Sequence, residues 1–143
     1  MREILFRGKR IDSGEWIYGD VIQFPMHGIV RIIEQNSNNG ESYGDSEIDC
    51  DTLGQYTGLT DKNGTKVFEG DILKIIHKYQ SPFDDDTKEY TDITTDVVFF
   101  DNEGLCFSYG KSPFLCVVDN VTAEYEVIGN IYDDNLEELA NGR

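Results

Sequence analysis

Carboxylates are the most abundant side chains here that could do chemistry. Asp84, Asp85 and Asp86 stand in a row, with Glu89 and Asp92 close behind in the same polar stretch. Hard divalent cations take several carboxylate oxygens, so the run invites a metal, but its spacing is not that of an EF-hand calcium loop. Consecutive acids in a surface segment are more simply a solvated charge run, and such a run can meet basic groups on another protein. These five residues are the candidate protein-binding residues, and no metal site is expected. The two histidines offer no alternative: His27 lies beside Pro25 and Gly28, His77 lies inside an apolar run, and neither has a partner at a metal-ligand spacing. No nucleophile elbow, P-loop lysine or dinucleotide glycine fingerprint is present, and only Gln55, Tyr56 and Thr57 separate Gly54 from Gly58. No catalytic residue and no cofactor are expected.

The charge balance narrows the partners. The 143 residues carry 12 Lys+Arg against 28 Asp+Glu, a formal net charge of −16. Residues 1–40 hold five basic and five acidic side chains, so the excess belongs to the later part of the chain. A surface of that sign repels phosphate backbones, because nonspecific nucleic-acid affinity comes from Lys and Arg neutralising phosphates. Nucleic acid is therefore an unfavoured partner, and the first reading is a non-enzymatic interaction protein with an acidic protein-binding surface. The alternative is a small-barrel nucleic-acid binder using Arg2, Arg7, Lys9 and Arg10, with Trp16 and Tyr18 as stacking platforms. A third reading is a metal-assisted hydrolase built on Asp20, Asp71 and Asp133. Trp16 and Tyr18 also form a candidate aromatic interface, since rigid rings near a rim anchor protein contacts at low entropic cost.

The elements that must position these groups are read as strands. Ile, Val and Thr total 32 while Ala occurs twice, a balance that favours β over α. Asp12-Ser13-Gly14, Asp61-Lys62-Asn63-Gly64 and Asp101-Asn102-Glu103-Gly104 each sit between apolar runs and read as hairpin loops. The runs they join predict antiparallel strands at 4–11, 15–24, 28–33, 66–79 with a bend at Gly70, 94–100, 105–109, 115–118 and 125–132. Two Gly-Asp steps, Gly19-Asp20 and Gly70-Asp71, precede aliphatic runs, and both aspartates are expected to cap turns, as in small SH3-like barrels. The stretches 34–46 and 80–92 read as polar loops. Leu136 and Leu139, after Asn135 and followed by Asn141-Gly142, predict one short C-terminal helix. The expected architecture is mainly β, with an N-terminal β unit over 1–50. An SH3-like barrel region with the C-terminal helix follows over 51–143, and the two parts share a core or stand as separate domains. No apolar run is long enough for a membrane-spanning helix, and no export signal is evident, so a cytoplasmic setting is expected, with Cys50, Cys106 and Cys116 as reduced thiols.

One set of stretches has a wider pattern. Arg2-Glu3-Ile4, Phe6-Arg7-Gly8-Lys9, Gly14-Glu15-Trp16-Ile17-Tyr18-Gly19-Asp20, Gly54-Gln55-Tyr56-Thr57-Gly58-Leu59, Asp61-Lys62-Asn63-Gly64, Glu69-Gly70-Asp71-Ile72 and Glu126-Val127-Ile128-Gly129-Asn130-Ile131-Tyr132 follow one another along the chain. In this order they resemble the YopX family of small phage and prophage proteins. The resemblance implies a mostly β fold, a phage or prophage setting in a bacterial host, and self-association into homo-oligomers; the acidic surface read from the charge balance would meet a host or phage protein. It brings no catalytic or binding residues to carry over. One departure is local, since Asn135-Leu136 stands where the family pattern leads one to expect a Pro at the start of the last helix.

Overall fold

The computed structural model describes residues 3–35, 42–80, 83, 88–101, 106–109 and 123–141. The chain divides into two compact units, Met1–Gly58 and Leu59–Arg143.

In the first unit β1 (Phe6–Lys9) and β2 (Trp16–Phe24) form a hairpin around Asp12-Ser13-Gly14. Gly14 takes a positive φ of 72°, and its N–H donates to the Arg10 carbonyl at 2.8 Å while Arg10 N–H donates to the Glu15 carbonyl at 2.9 Å. β3 (Ile29–Gln35), β4 (Ser42–Ile48) and β5 (Gly54–Thr60) follow, in the sheet order β4-β3-β2-β1-β5. β2 changes partner along its length: Trp16 to Gly19 pair with β1, and Asp20 to Phe24 pair with β3. Gly19 stands at the change, where a Cβ would lie 2.0 Å from the Ile33 carbonyl oxygen. Ile17, Ile32 and Ile48 form the core, with Val30 and Leu53 against them. A short 3-10 turn, η1 (Cys50–Thr52), ties β1 to this core, with Asp49 accepting from Asp51 N–H and Thr52 Oγ1 accepting from Lys9 N–H at 2.9 Å.

In the second unit, β6 (Lys66–Phe68) neighbours the end of β5 across the Asp61–Gly64 turn. β7 (Asp71–Gln80), β8 (Glu89–Asp101), β9 (Cys106–Tyr109) and β10 (Ala123–Asn130) make an antiparallel sheet in the order β10-β7-β8-β9. Val67, Leu73, Ile75, Val98 and Tyr125 form its core, with Leu59 and Val127 packed on it. Burying each of these aliphatic side chains is worth roughly 1.5–3 kcal/mol. The Tyr125 hydroxyl satisfies its polar tip by donating to the Thr60 carbonyl at 2.7 Å. The helix α1 (Leu136–Asn141) starts without a proline because Asn135 Oδ1 accepts from Glu137 N–H at 2.9 Å, so the side chain does the capping.

The mainly antiparallel β class with one short helix is what the structure shows. Neither sheet closes on itself in its strand order, and no closed SH3-like barrel is found among the described residues. Three local expectations change. β4 takes in residues 42–46 of what reads as the 34–46 loop, and β8 begins at Glu89, inside the stretch read as the 80–92 loop. Asp71 does cap its turn, accepting from Phe68 N–H at 2.7 Å beside Gly70 at φ 87°, but Asp20 does not sit at a turn: it lies within β2 opposite Ile33 with its side chain exposed. The strand expected at 115–118, and Asn102, Glu103 and Gly104 of the third hairpin loop, lie outside the described residues; β8 and β9 still pair antiparallel on either side of that loop. No helix is long and apolar enough to cross a membrane.

Candidate functional site

The two candidate acids that can be placed, Glu89 and Asp92, stand on β8 and are exposed. Asp84, Asp85 and Asp86 lie outside the described residues. The β7–β8 ladder runs from Ile72 opposite Val97 to Gln80 opposite Glu89, and among the described residues β10 accompanies β7 as far as His77. Beyond His77 these two strands continue paired with each other as the β7–β8 arm. Tyr79 and Tyr90 face each other across it with rings stacked at 5.6 Å between centroids, and Lys88 Nζ lies 5.5 Å from the Tyr90 centroid.

Side chains two apart share a face of a strand. Tyr90, Asp92, Thr94 and Asp96 therefore point to the side of the sheet that carries Leu73 and Ile75 of the core, opposite which Asp96 and Thr94 pair. Ile75 is fully buried while Thr94 and Asp92 are exposed, so the core face opens into solvent at β8 as an acidic ledge. Asp96 is half-buried, and desolvation raises its carboxyl above the ordinary value. A carboxyl raised in the folded state favours folding below its unfolded pKa, and this contribution is lost as pH rises through the folded value. Asp96→Asn is accordingly expected to stabilise the protein at pH 7 by roughly 0.5 kcal/mol. That gain should vanish near pH 3, in urea titrations run at both pH values.

Trp16 and Tyr18 occupy alternate positions of β2, on one face. Tyr18 is 42% exposed, whereas Trp16 is half-buried with the Arg7 guanidinium 4.7 Å and the Lys9 ammonium 5.4 Å from its ring centroid. Arg7 is itself only 6% exposed. The ring thus engages the chain's own cations, and Arg7 is withdrawn from any phosphate. Among the described residues no group of three His, Cys, Asp or Glu is placed to hold a metal, so Asp20, Asp71 and Asp133 form no assembled hydrolase centre.

The residue that sequence reasoning undervalued is Asp61. It reads as a turn former, yet it is 5% exposed, with Oδ1 accepting from Asn63 and Thr65 N–H, both at 2.9 Å, and Oδ2 from Val127 N–H at 2.9 Å. Burial opposes its ionisation most strongly. The N–H groups of Val127, Thr65 and Asn63, with Lys62 nearby, outweigh burial and hold its pKa below the ordinary value. A carboxylate committed to three backbone donors is a structural clamp.

A cleft opens in each unit. One in the first unit, of about 580 Å³, mixes Lys9 and Arg10 with Glu47, Asp49 and Asp51 around the exposed thiol of Cys50. One in the second unit, of about 440 Å³, lies between α1 and the sheet, with Ile93, Ile128 and Leu139 around Lys74, Thr95 and Glu126. Neither presents a nucleophile paired with a base, the arrangement that covalent catalysis requires.

No curated protein matches the chain. Among solved structures, the crystal structure of protein EF1440 from Enterococcus faecalis is similar, with 21% identity, 97% of each chain covered and a TM-score of 0.55. At that identity the likeness is one of fold. The family model for YopX protein matches residues 5–137, from before β1 into α1, so the hairpins, the Gly-Asp steps and the Asp61 clamp all fall within it. The chain belongs to the YopX family.

Proposed function

We propose that this YopX-family chain is a phage or prophage accessory protein that acts without catalysis, by binding another protein through an acidic surface. The observation that carries the reading is the exposed β7–β8 arm, on which Glu89 and Asp92 stand beside the stacked Tyr79–Tyr90 pair on a chain of charge −16. Aromatic anchors supply buried area, and carboxylates around them steer a basic partner and reject anionic ones. Self-association is the second reading, favoured by the exposed apolar side chains of Ile93, Phe99 and Phe100.

The test is affinity capture from a bacterial lysate with the wild type and with the double variant Glu89→Lys, Asp92→Lys, at about 50 mM and about 500 mM salt, where the Debye length falls several-fold. Proteins should be retained by the wild type at low salt and lost both at high salt and with the variant. A retained set indifferent to salt and to charge reversal would overturn the acidic-surface reading. Light scattering on the same samples separates self-association, which apolar contacts predict to persist or strengthen as salt screens the repulsion between copies.

A further inference from the structure

We propose that the cleft between α1 and the sheet of the second unit binds a small monocarboxylic acid with an apolar body. Its carboxylate is met by Lys74 and Thr95, and its body lies against Ile93, Ile128 and Leu139. The inference goes beyond the acidic-surface reading and stands on residues other than Glu89, Asp92 and the Tyr79–Tyr90 pair.

The cleft is built by three local features. Glu126, Lys74 and Thr95 lie opposite one another on β10, β7 and β8, so all three project from one face of the sheet. The β10–β7 register shifts between Val127 and Gly129, which leaves Ile128 without a counterpart on β7; a bulge of this kind bends its strand and re-aims a side chain. Ile128 lines the cleft. The helix α1 is brought to the same face by the turn before it, where Asp134 N–H donates to the Asn130 carbonyl at 2.9 Å and Asp134 Oδ2 accepts from Asn130 N–H at 3.2 Å. Gly129 permits the approach, because a Cβ there would stand 2.5 Å from Asp134 Oδ2 and 3.1 Å from Leu139 Cδ1. The resulting space of about 440 Å³ falls within the roughly 300–1,000 Å³ of small-molecule sites. Ile93, 60% exposed, leaves it open to solvent.

Charge selects the class of ligand. Glu126 is the carboxylate opposite Lys74, yet both of its oxygens are engaged by the neighbouring turn: Oε1 accepts from Asn63 Nδ2 at 3.2 Å, and Oε2 lies 3.8 Å from Lys62 Nζ. Lys74 is half-buried, and among the described residues its ammonium makes no ion pair and no hydrogen bond, on a chain with 28 acids to 12 Lys+Arg. A half-buried ammonium flanked by apolar walls attracts an anion more strongly than an exposed one, since less water screens the pair, and the bond is charge-assisted. Thr95 adds a hydroxyl that can donate beside it. One cation, with Glu126 in the same lining, matches a single negative charge and disfavours a dianion such as a phosphate monoester.

The experiment titrates the full chain at low salt with four probes: octanoate, octanamide, octylammonium and acetate. Amide resonances are followed by NMR. Octanoate is expected to shift the resonances of Lys74, Thr95, Ile128 and Leu139 saturably, with octanamide, which lacks the charge, and acetate, which lacks the body, weaker by about tenfold or more. Lys74→Met keeps an apolar stem and removes the ammonium, so it should lower octanoate to the level of octanamide and leave octanamide unchanged; that second reading shows the cleft intact. Lys74→Arg should retain the preference for octanoate. Octanoate binding no tighter than octanamide, or unaffected by Lys74→Met, would overturn the proposal, as would tighter binding of octylammonium. Shifts confined to the first unit, or no saturable shift with octanoate, would overturn it as well.

Discussion

Asp61→Asn is expected to lower the stability of the second unit by about 2–4 kcal/mol, and Asp61→Ala by about 3–5 kcal/mol. The asparagine keeps an oxygen for the Asn63 and Thr65 N–H groups, but its amide nitrogen then faces the Val127 N–H, donor against donor. Alanine leaves all three donors without the acceptor they have in the wild type. Losses of this size are a large share of the roughly 5–15 kcal/mol that holds a domain folded. Urea titration at pH 7 checks both, and a cost below about 1 kcal/mol would mean the turn closes without its carboxylate.

The pH dependence gives the same prediction a second signature. Because the folded-state pKa of Asp61 is depressed, its contribution is present above the unfolded aspartate value and is lost as pH falls through the folded value. The gap between wild type and Asp61→Asn should therefore be widest at neutral pH and close only below the ordinary value near 3.8. Asp96→Asn behaves with the opposite sign at neutral pH, so the two substitutions distinguish a carboxylate that the fold needs charged from one that it tolerates.

Gly19→Ala is the second large effect, expected to cost about 2–3 kcal/mol, toward the upper end for added volume in a packed site, because the obstacle is main chain. The new methyl group would stand 2.0 Å from the Ile33 oxygen and 2.8 Å from its carbonyl carbon. A flexible side chain could swing aside, whereas here β2 and β3 must part at the point where β2 passes from one partner to the other. Gly14→Ala is the control: it too replaces a glycine, at a φ of 72°, but its Cβ meets nothing within 4 Å, so only backbone strain is tested. If both variants melt alike in urea, crowding at Gly19 is not what the position guards against.

How much of this was legible follows from how local each cause is. The turns at Asp12–Gly14 and Asp61–Gly64 were readable because a positive φ demands glycine and the bonds that close them span a few residues. The capped start of α1 was readable from Asn135 for the same reason. β4 was not, since Ser42–Ile48 is an edge strand whose polar residues read as loop. The start of β8 was hidden likewise, although Tyr90, Asp92, Thr94 and Asp96 on one face and Thr91, Ile93, Thr95 and Val97 on the other alternate at the strand period. The Gly-Asp recurrence misled for Asp20 because one dipeptide serves two physical needs, a left-handed turn at Gly70 and a close approach of main chains at Gly19. The second job of Asp61 depends on Val127, 66 residues along the chain, and no local pattern announces such a partner.

The Asp61–Lys62 turn has a consequence for stoichiometry. Besides receiving Val127 N–H, it donates Lys62 N–H to the Tyr125 carbonyl at 3.1 Å, so the side of β10 that faces away from β7 is already occupied at mid-strand by the chain itself. A sheet open at both margins can be extended indefinitely, copy upon copy, into a fibre. With the β10 margin closed by its own turn, this sheet cannot grow copy upon copy through both margins, and the expected solution species has a discrete mass.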